Sequence, residues 1–582
     1  SEANLIYSDG EARAAEMSCI GQDGRFLYWE VFVTPQQPRF CYSFALKRSD
    51  RPTHPVVYWS GRGLTHVVET PFYLDLEVKR PFVTPDWIKG AVIYQIFPER
   101  FANGNPEASP ENVVAWGSDP AVYQFQGGDL HGIAQNINYL AELGIEVIYL
   151  NPINSSVSNH KYDATDFYHV DPAFGGDVAL HELVEAAHGE GIKILLDASF
   201  NHCYPQFFAF KDLIEKGEDS AYKEWFTVYE WPVRVKYRPH LLEGNPQRAR
   251  FENWFNHFRV ASGVPIEELD DDDGSIVEPT YEAWYGVISM PKIDQTNPET
   301  KAYFLDVAAH WLKEFKVDGW RMDVAQFVDD QFWREFRQVC LATDPNCYMI
   351  AEIWGNTSHW LQGDMFDGTM NYLFRDLCVA YFAQGVLTPR EMVEGLTRLD
   401  MLYAPQVTAV NQNLLSSHDV PRFRHLSGEQ RERFLLATLF KLTMPGAPSI
   451  YYGDEIGMTG GRDPDNRRAF PWHERERWDD ELLAMMKRLI ALRKEMPALK
   501  IGRWRPVWVG KTNDAFAFMR EHDGQQILVV INRARPLTQS YLPVQAAEAE
   551  VLFGEAELDL AAEGVVVSGM RPWSGAIVEI EP

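Results

Sequence analysis

Three carboxylates in this sequence share one setting, since each closes a short apolar run: Asp323 ends "GWRMD", Glu352 ends "YMIAE" and Asp419 ends "NLLSSHD". Asp197 closes "KILLD" in the same way, with Asn201 and His202 just beyond. If such runs are parallel strands, their ends present groups to a ligand, and acids there are candidates for acid–base work. Arg321 stands two residues before Asp323, and residues i and i+2 of a strand point to one face. A guanidinium alongside favours the ionised carboxylate, which predicts a permanently charged Asp323 suited to act as a nucleophile or to stabilise a cation. Glu352 lies among Met349, Ile350, Ala351, Ile353 and Trp354 with no cation near it in the sequence, so desolvation is expected to raise its pKa. One acid held charged and one held protonated is the division of labour of a retaining glycosidase, whose two carboxyl groups stand about 5–5.5 Å apart. Any one of these acids could equally cap a strand or pair with an arginine. Three acids with two histidines, His202 and His418, at successive strand ends argue for a site.

The elements that must position these residues are legible beyond Trp87. The runs "AVIYQIF", "VIYLNPI", "KILLDASF", "GWRMDVA", "MIAEIW", "NLLSSHD" and "SIYYGDE" alternate with amphipathic segments, and "FDGTMNYLF" supplies an eighth. Phe304, Val307, Ala308, Trp311, Leu312 and Phe315 fall on one helix face. Leu180, Leu183, Val184 and Ala187 repeat the device, with Gly191 as terminator. The fold class is therefore α/β, a (β/α)8 barrel over 86–500. No strand–helix unit is legible between Asn201 and Met290, so 201–292 reads as an inserted subdomain. Its aspartate run, 270–273, reads as a solvated loop, because a calcium site alternates its ligands. Alternating runs such as "FLYWEVFVT" and "FCYSFALK" predict an N-terminal β domain over 1–85. "AFAFMRE", "QILVVIN" and "AIVEIE" predict a C-terminal β-sandwich over 501–582.

A formal net charge of −29 argues against phosphate-directed nucleic-acid binding and suits a neutral ligand such as a sugar. The six cysteines lack disulfide or zinc spacing and read as mostly buried thiols. No run is long and apolar enough to span a membrane, and "SEANLIYSDG" has no leader-like composition. The expected location is cytoplasmic, unless a leader has been removed.

These motifs resemble the alpha-amylase family of glycoside hydrolases. "DASFNH", "GWRMDVA", "AEIW" and "SSHD" are similar, in order, to its four conserved regions, and "MPKID" and "IYYGDEIG" to two accessory ones. "YQIFPERFANG" and "SNHKYDATDFYHVDPAFG" resemble its neopullulanase, cyclomaltodextrinase and maltogenic amylase branch. The resemblance implies that Asp323 is the nucleophile, Glu352 the acid/base, and Asp419 the acid that holds the ring hydroxyls of the sugar before the cleaved bond. It implies that His202, Arg321 and His418 line that subsite and that Tyr162 stacks beneath the sugar with His160 nearby. It further implies that Asp463 and Arg467 meet the next sugar out. Tyr162 and Trp354 have polar neighbours, as expected at a site rim.

The chain departs from the branch at Gln326 and Phe327, where Asn-Glu is usual on the acceptor side, and in a longer insertion over 233–277. The family's calcium loop, here 103–109, keeps Asn103, Asn105 and, further on, Asp129, but Ala108 and Ser109 carry no charge, which argues against bound calcium. The N-terminal domain is shorter than the branch norm, and in this branch that domain builds the dimer, so both monomer and homodimer stay open. The sequence thus reads as a retaining α-glucan hydrolase that cleaves α-1,4 bonds in maltooligosaccharides, cyclodextrins or pullulan, with no metal or organic cofactor in its chemistry. A glucanotransferase or exo-acting α-glucosidase would use the same acids with another acceptor site. A non-catalytic glycan-binding barrel would be expected to lack one of them.

Overall fold

The computed structural model describes residues 2–48, 53–78, 82–121 and 124–581. The chain forms two compact units, one of residues 1–83, 386–404 and 503–582, the other of 84–385 and 405–502.

The second unit is built on eight parallel strands: β1 (Ile93–Ile96), β2 (Val147–Leu150), β3 (Lys193–Ala198), β4 (Gly319–Met322), β5 (Tyr348–Ala351), β6 (Gly368–Thr369), β7 (Gln412–Asn413) and β8 (Ala447–Tyr451). Each pairs with its neighbour in the chain, β8 returns to β1, and a parallel bridge between Met370 and Gln412 joins β6 to β7. The barrel is therefore closed. Its strands are buried on both faces, as all-parallel sheets require. Ile93, Tyr149, Leu195, Ile350 and Leu414 belong to one core cluster. Gly319 opens β4 where a Cβ would stand 2.1 Å from the carbonyl oxygen of Tyr348, so only glycine allows the two strands this approach.

The helix Pro298–Glu314 buries Phe304, Val307, Ala308, Trp311 and Leu312, the face expected from their spacing, and Asn297 caps it by accepting from the amides of Glu299 and Thr300. The helix Gly176–Gly189 buries Leu180, Leu183, Val184 and Ala187, and Gly191 beyond it has φ 72°. Two expectations need correction. Only Gln412 and Asn413 of the β7 region are strand, so Ser416–Asp419 leave the ladder before the site begins. The insertion, read as lacking legible units, contains the helices Phe208–Lys216 and Arg248–Ala261 and a small sheet of Val235–Tyr237, Ile266–Glu268 and Val277–Pro279. The aspartate run is exposed at its edge, with Asp271 paired to Arg238 at 2.7 Å.

The first unit is mostly antiparallel sheet. Its N-terminal part pairs Glu2–Ser8 with Ala12–Glu16 and Arg39–Lys47 over a core of Leu5, Tyr7 and Phe40. Its C-terminal part packs a five-stranded sheet against a three-stranded one, and alternate residues such as Leu528, Val530, Val565, Val567 and Val578 fill the space between, forming the β-sandwich. The helix Pro389–Asp400 belongs to this unit.

Candidate active site

Parallel strands deliver their C-terminal ends to one face, and the candidate residues gather there. Asp197, next to last in β3, stands opposite Arg321 of β4 in strict register. The two acids that follow β4 and β5 still sit in the ladder: the amide of Asp323 donates to Ala198 O (3.0 Å) and that of Glu352 to Met322 O (2.9 Å). Three neighbouring strands thus bring three carboxylates around one buried guanidinium. Arg321 Nη1 lies 2.8 Å from Asp197 Oδ1 and 2.9 Å from Asp323 Oδ1, while Nη2 lies 3.8 Å from Glu352 Oε2. The shared face expected of residues 321 and 323 is what places both groups in contact.

The expected environments of the two acids change once the neighbouring strands are counted. Arg321 pulls Asp323 toward ionisation, but burial and the carboxylates of Glu352, Asp197 and Asp419 push its pKa well above the usual carboxylate range. The arginine alone therefore does not fix Asp323 as a permanent anion, because burial opposes it and its charge is shared with Asp197. Glu352 has the cation that its sequence neighbours lacked, supplied by the adjacent strand. Its oxygens also accept from the Val324 amide at 2.9 Å and from the Trp354 indole N–H.

Asp419 and His418 arrive from the segment after β7. His418 Nδ1 faces two side-chain amides, Gln95 Nε2 at 2.7 Å and Asn151 Nδ2 at 3.1 Å. With donors on that side the proton belongs on Nε2, which lies 3.0 Å from Asp419 Oδ2 and 2.7 Å from the Tyr162 hydroxyl. Burial holds His418 well below the usual histidine range and lowers His202 to about 3, so both imidazoles are neutral donors or acceptors. Although 29% of the Asp419 side chain faces the cleft, the protein around it pushes its carboxyl up to about 7, against the pull of Arg321 and Arg467.

The remaining expected residues border the same cleft. The Tyr162 ring stacks on His418 (5.5 Å, 9°) and lies near His160 (6.0 Å), while its hydroxyl donates to Asp197 Oδ2 at 2.6 Å. His202 stacks on Trp284 at 5.4 Å. Trp354, 56% exposed, stacks on Tyr372 at 4.4 Å and turns its N–H to Glu352. Arg467 bridges outward, 3.7 Å from Asp419 Oδ1 and 3.0 Å from Asp463 Oδ1, and donates to His418 O at 3.0 Å. These contacts link ten of the eleven candidates, and His202 packs beside Trp284.

Sequence reasoning missed a supporting ring. Gln95 and Asn151 orient His418, and Tyr149 donates to Asp197 Oδ2 at 2.6 Å. Gln95 and Asn151 carried a usable signal, being polar residues in or next to apolar strands.

The loop at 103–109 presents few calcium ligands. Glu107 is exposed, and both oxygens of Asp129, which packs against the loop from further along the chain, already accept from backbone amides, those of Gly104 (3.0 Å), Asn105 (2.7 Å) and Gly132 (2.6 Å). Asn103 turns its amide nitrogen to Ser109 Oγ at 3.0 Å, leaving only a neutral amide oxygen free. Calcium takes six to eight oxygens, usually several of them carboxylate, so these residues do not fit the ion. Among the described residues no group of three or more His, Cys, Asp or Glu side chains could hold a metal.

Comparison with known proteins accounts for this arrangement. Residues 95–502 match the model of the alpha amylase catalytic domain, and residues 2–61 that of the alpha amylase N-terminal ig-like domain. The chain belongs to the alpha-amylase family. It is 38% identical to a cyclomaltodextrinase of Geobacillus thermopakistaniensis over 537 residues, 91% of this chain and 84% of that one. It is 40% identical to neopullulanase 2 of Thermoactinomyces vulgaris over 539 residues, 91% of this chain and 85% of that one. A solved cyclomaltodextrinase superposes over 99% of this chain and 94% of its own, with TM-score 0.86 and 31% identity. Cyclic alpha-maltosyl-(1→6)-maltose hydrolase from Arthrobacter globiformis covers 85% of this chain and all of its own, with TM-score 0.72 and 34% identity. This alpha-amylase family member is a glycoside hydrolase of the neopullulanase, cyclomaltodextrinase and maltogenic amylase type.

Proposed function

We propose that this hydrolase opens α-1,4 bonds of cyclodextrins, maltooligosaccharides or pullulan by double displacement, with Asp323 as nucleophile and Glu352 as acid/base. The observation that carries this assignment is the single guanidinium of Arg321 within reach of both acids, nearer to Asp323 than to Glu352. The guanidinium in contact with Asp323 works against the burial that disfavours its charge, as a nucleophile needs, and Glu352, farther from that cation, is left as the acid/base. Asp323 attacks the anomeric carbon as its bond to the leaving oxygen breaks, and that oxygen takes the proton from Glu352. Glu352 then removes a proton from water, whose oxygen displaces Asp323 and restores the original configuration. Asp419, with the His418 N–H behind it, accepts from ring hydroxyls and binds more strongly as positive charge develops on the sugar. Tyr162 supplies a face for stacking, and Asp463 and Arg467 meet the next sugar.

We further propose that the loop at 103–109 works without calcium. The partner is a neutral glucan, with the chain acting alone or as a homodimer. No described helix is long and apolar enough to cross a membrane. Six free thiols, four of them buried, support a reducing, cytoplasmic setting.

Transfer to a sugar acceptor is the second reading, favoured by one observation. Tyr285, 75% exposed, meets Phe327, 37% exposed, edge to face at 5.3 Å, which offers a sugar-stacking surface a few residues past Asp323. A product time course on β-cyclodextrin, pullulan and starch, with anomeric configuration followed by NMR, tests both readings. α-Configured short products from cyclodextrin support the hydrolase. Intact cyclodextrin and pullulan with disproportionated linear oligosaccharides would replace it with the transferase.

A further inference from the structure

The helix Arg248–Ala261 of the insertion has no part in the chemistry above, yet one of its faces lines a cavity of about 610 Å³. Arg250, Phe251 and Trp254 of the helix line it together with Gln247, the helix N-cap, and Gln124 and Pro464 from outside the insertion. The volume lies within the range of about 300–1,000 Å³ that small-ligand pockets occupy. The aromatic rings are fixed before any ligand arrives: Phe251 stacks on the buried Phe255 (6.0 Å, 14°), and Trp254 on the buried Phe258 (6.2 Å, 21°). Rings held in this way lose little freedom when a ligand stacks on them.

Pro464 and Gln124 tie this cavity to the catalytic cleft. Pro464 follows Asp463, which holds Arg467, which in turn reaches Asp419. The carbonyl of Gln124 accepts from Asn159 Nδ2 at 3.0 Å, and Asn159 precedes His160. The lining combines apolar faces with amides and one guanidinium, and among the described residues it contains no carboxylate. That chemistry suits a neutral polyhydroxylated chain, which stacks its ring faces and donates and accepts at its edges.

We propose that this face of the inserted helix is an outer subsite for glucosyl units beyond the one at Asp463, so that the insertion selects for longer glucan chains. The proposal rests on the reading of Asp463 and Arg467 as the rim that meets the second sugar. The test compares kcat/KM on linear α-1,4 heptasaccharide and trisaccharide for wild type, Trp254→Ala, Phe251→Ala and Val260→Ala, the last an exposed residue of the same helix outside the cavity. Trp254→Ala and Phe251→Ala are each expected to lower the heptasaccharide-to-trisaccharide ratio about tenfold, through KM, with Val260→Ala unchanged and Trp254→Phe restoring most of the ratio. An unchanged ratio, including equal loss on both substrates, overturns the proposal. If wild type turns over neither oligosaccharide, the functional reading has failed. Titration calorimetry of both oligosaccharides then decides the subsite alone: tighter heptasaccharide binding that Trp254→Ala abolishes upholds it, and length-independent binding rejects it.

Discussion

The backbone N–H of Val324 donates to Glu352 Oε2 at 2.9 Å from a left-handed conformation, φ 41° and ψ 43°. Such a conformation at a β-branched residue costs on the order of 1–3 kcal/mol and persists only where its surroundings impose it. Here it turns the chain immediately after Asp323, so that the amide of the next residue points at the acid on the neighbouring strand.

Glu352→Gln follows from that contact. A carboxylate offers an oxygen to each of its two N–H donors, Val324 and Trp354, whereas an amide offers only one. The variant is expected to lose kcat by at least about 10²–10⁴-fold, the usual worth of general acid–base catalysis. Leaving one donor unsatisfied should also cost about 1–3 kcal/mol of stability. Steady-state kinetics and urea unfolding read the two effects separately, and a variant with wild-type kcat would remove Glu352 from the acid/base role.

Arg321 supports the site by neutralising it. Arg321→Met leaves Asp197 and Asp323 buried without their cation, and breaking a buried pair costs about 3–5 kcal/mol. Adding Asp197→Asn to that variant is expected to recover part of the loss. Equal stability of the single and double variants in urea would show that the guanidinium does not compensate Asp197.

Asp419 and His202 give the unliganded protein opposite pH dependences. The folded Asp419 carboxyl, raised to about 7, binds its proton more tightly than in the unfolded chain, where the value is about 3.9. Its contribution is present below pH about 4 and is lost as pH rises through about 7. Relative to wild type, Asp419→Asn should gain stability across that window. Folded His202, lowered to about 3 against about 6.5 unfolded, contributes fully above pH about 6.5 and loses that contribution as pH falls toward about 3. His202→Gln should therefore gain on wild type as pH falls. Denaturant unfolding of the three proteins from pH 4 to pH 8 would show two difference curves of opposite slope, and parallel curves would contradict both assignments.

Calcium removal is expected to change nothing. The backbone amides of Gly104, Asn105 and Gly132 already occupy the Asp129 carboxylate, so Tm in excess chelator should match Tm in millimolar calcium. A Tm that climbs with calcium concentration would mean that the loop rearranges to bind the ion.

How much was legible in the sequence depends on the range over which each signal acts. The helix over 304–315, the acids that close the apolar runs and the pairing of Arg321 with Asp323 are local patterns, set by periodicities of 3.6 and 2 residues, and the sequence by itself determined them. It could not show that β3 and β5 would crowd Arg321 from either side. For that reason the expected state of Asp323 was too simple, and the frame around Glu352 lacked its cation. The helix Arg248–Ala261 was missed although Phe251, Trp254, Phe255 and Phe258 fall at i, i+3, i+4 and i+7, a spacing that signals a helix. Tertiary structure alone decided that Gln95 and Asn151, from β1 and the end of β2, fix the proton of a histidine more than 250 residues away. Burial, shared charge and hydrogen-bond direction depend on what the neighbouring strands contribute, and a linear pattern carries no record of its neighbours.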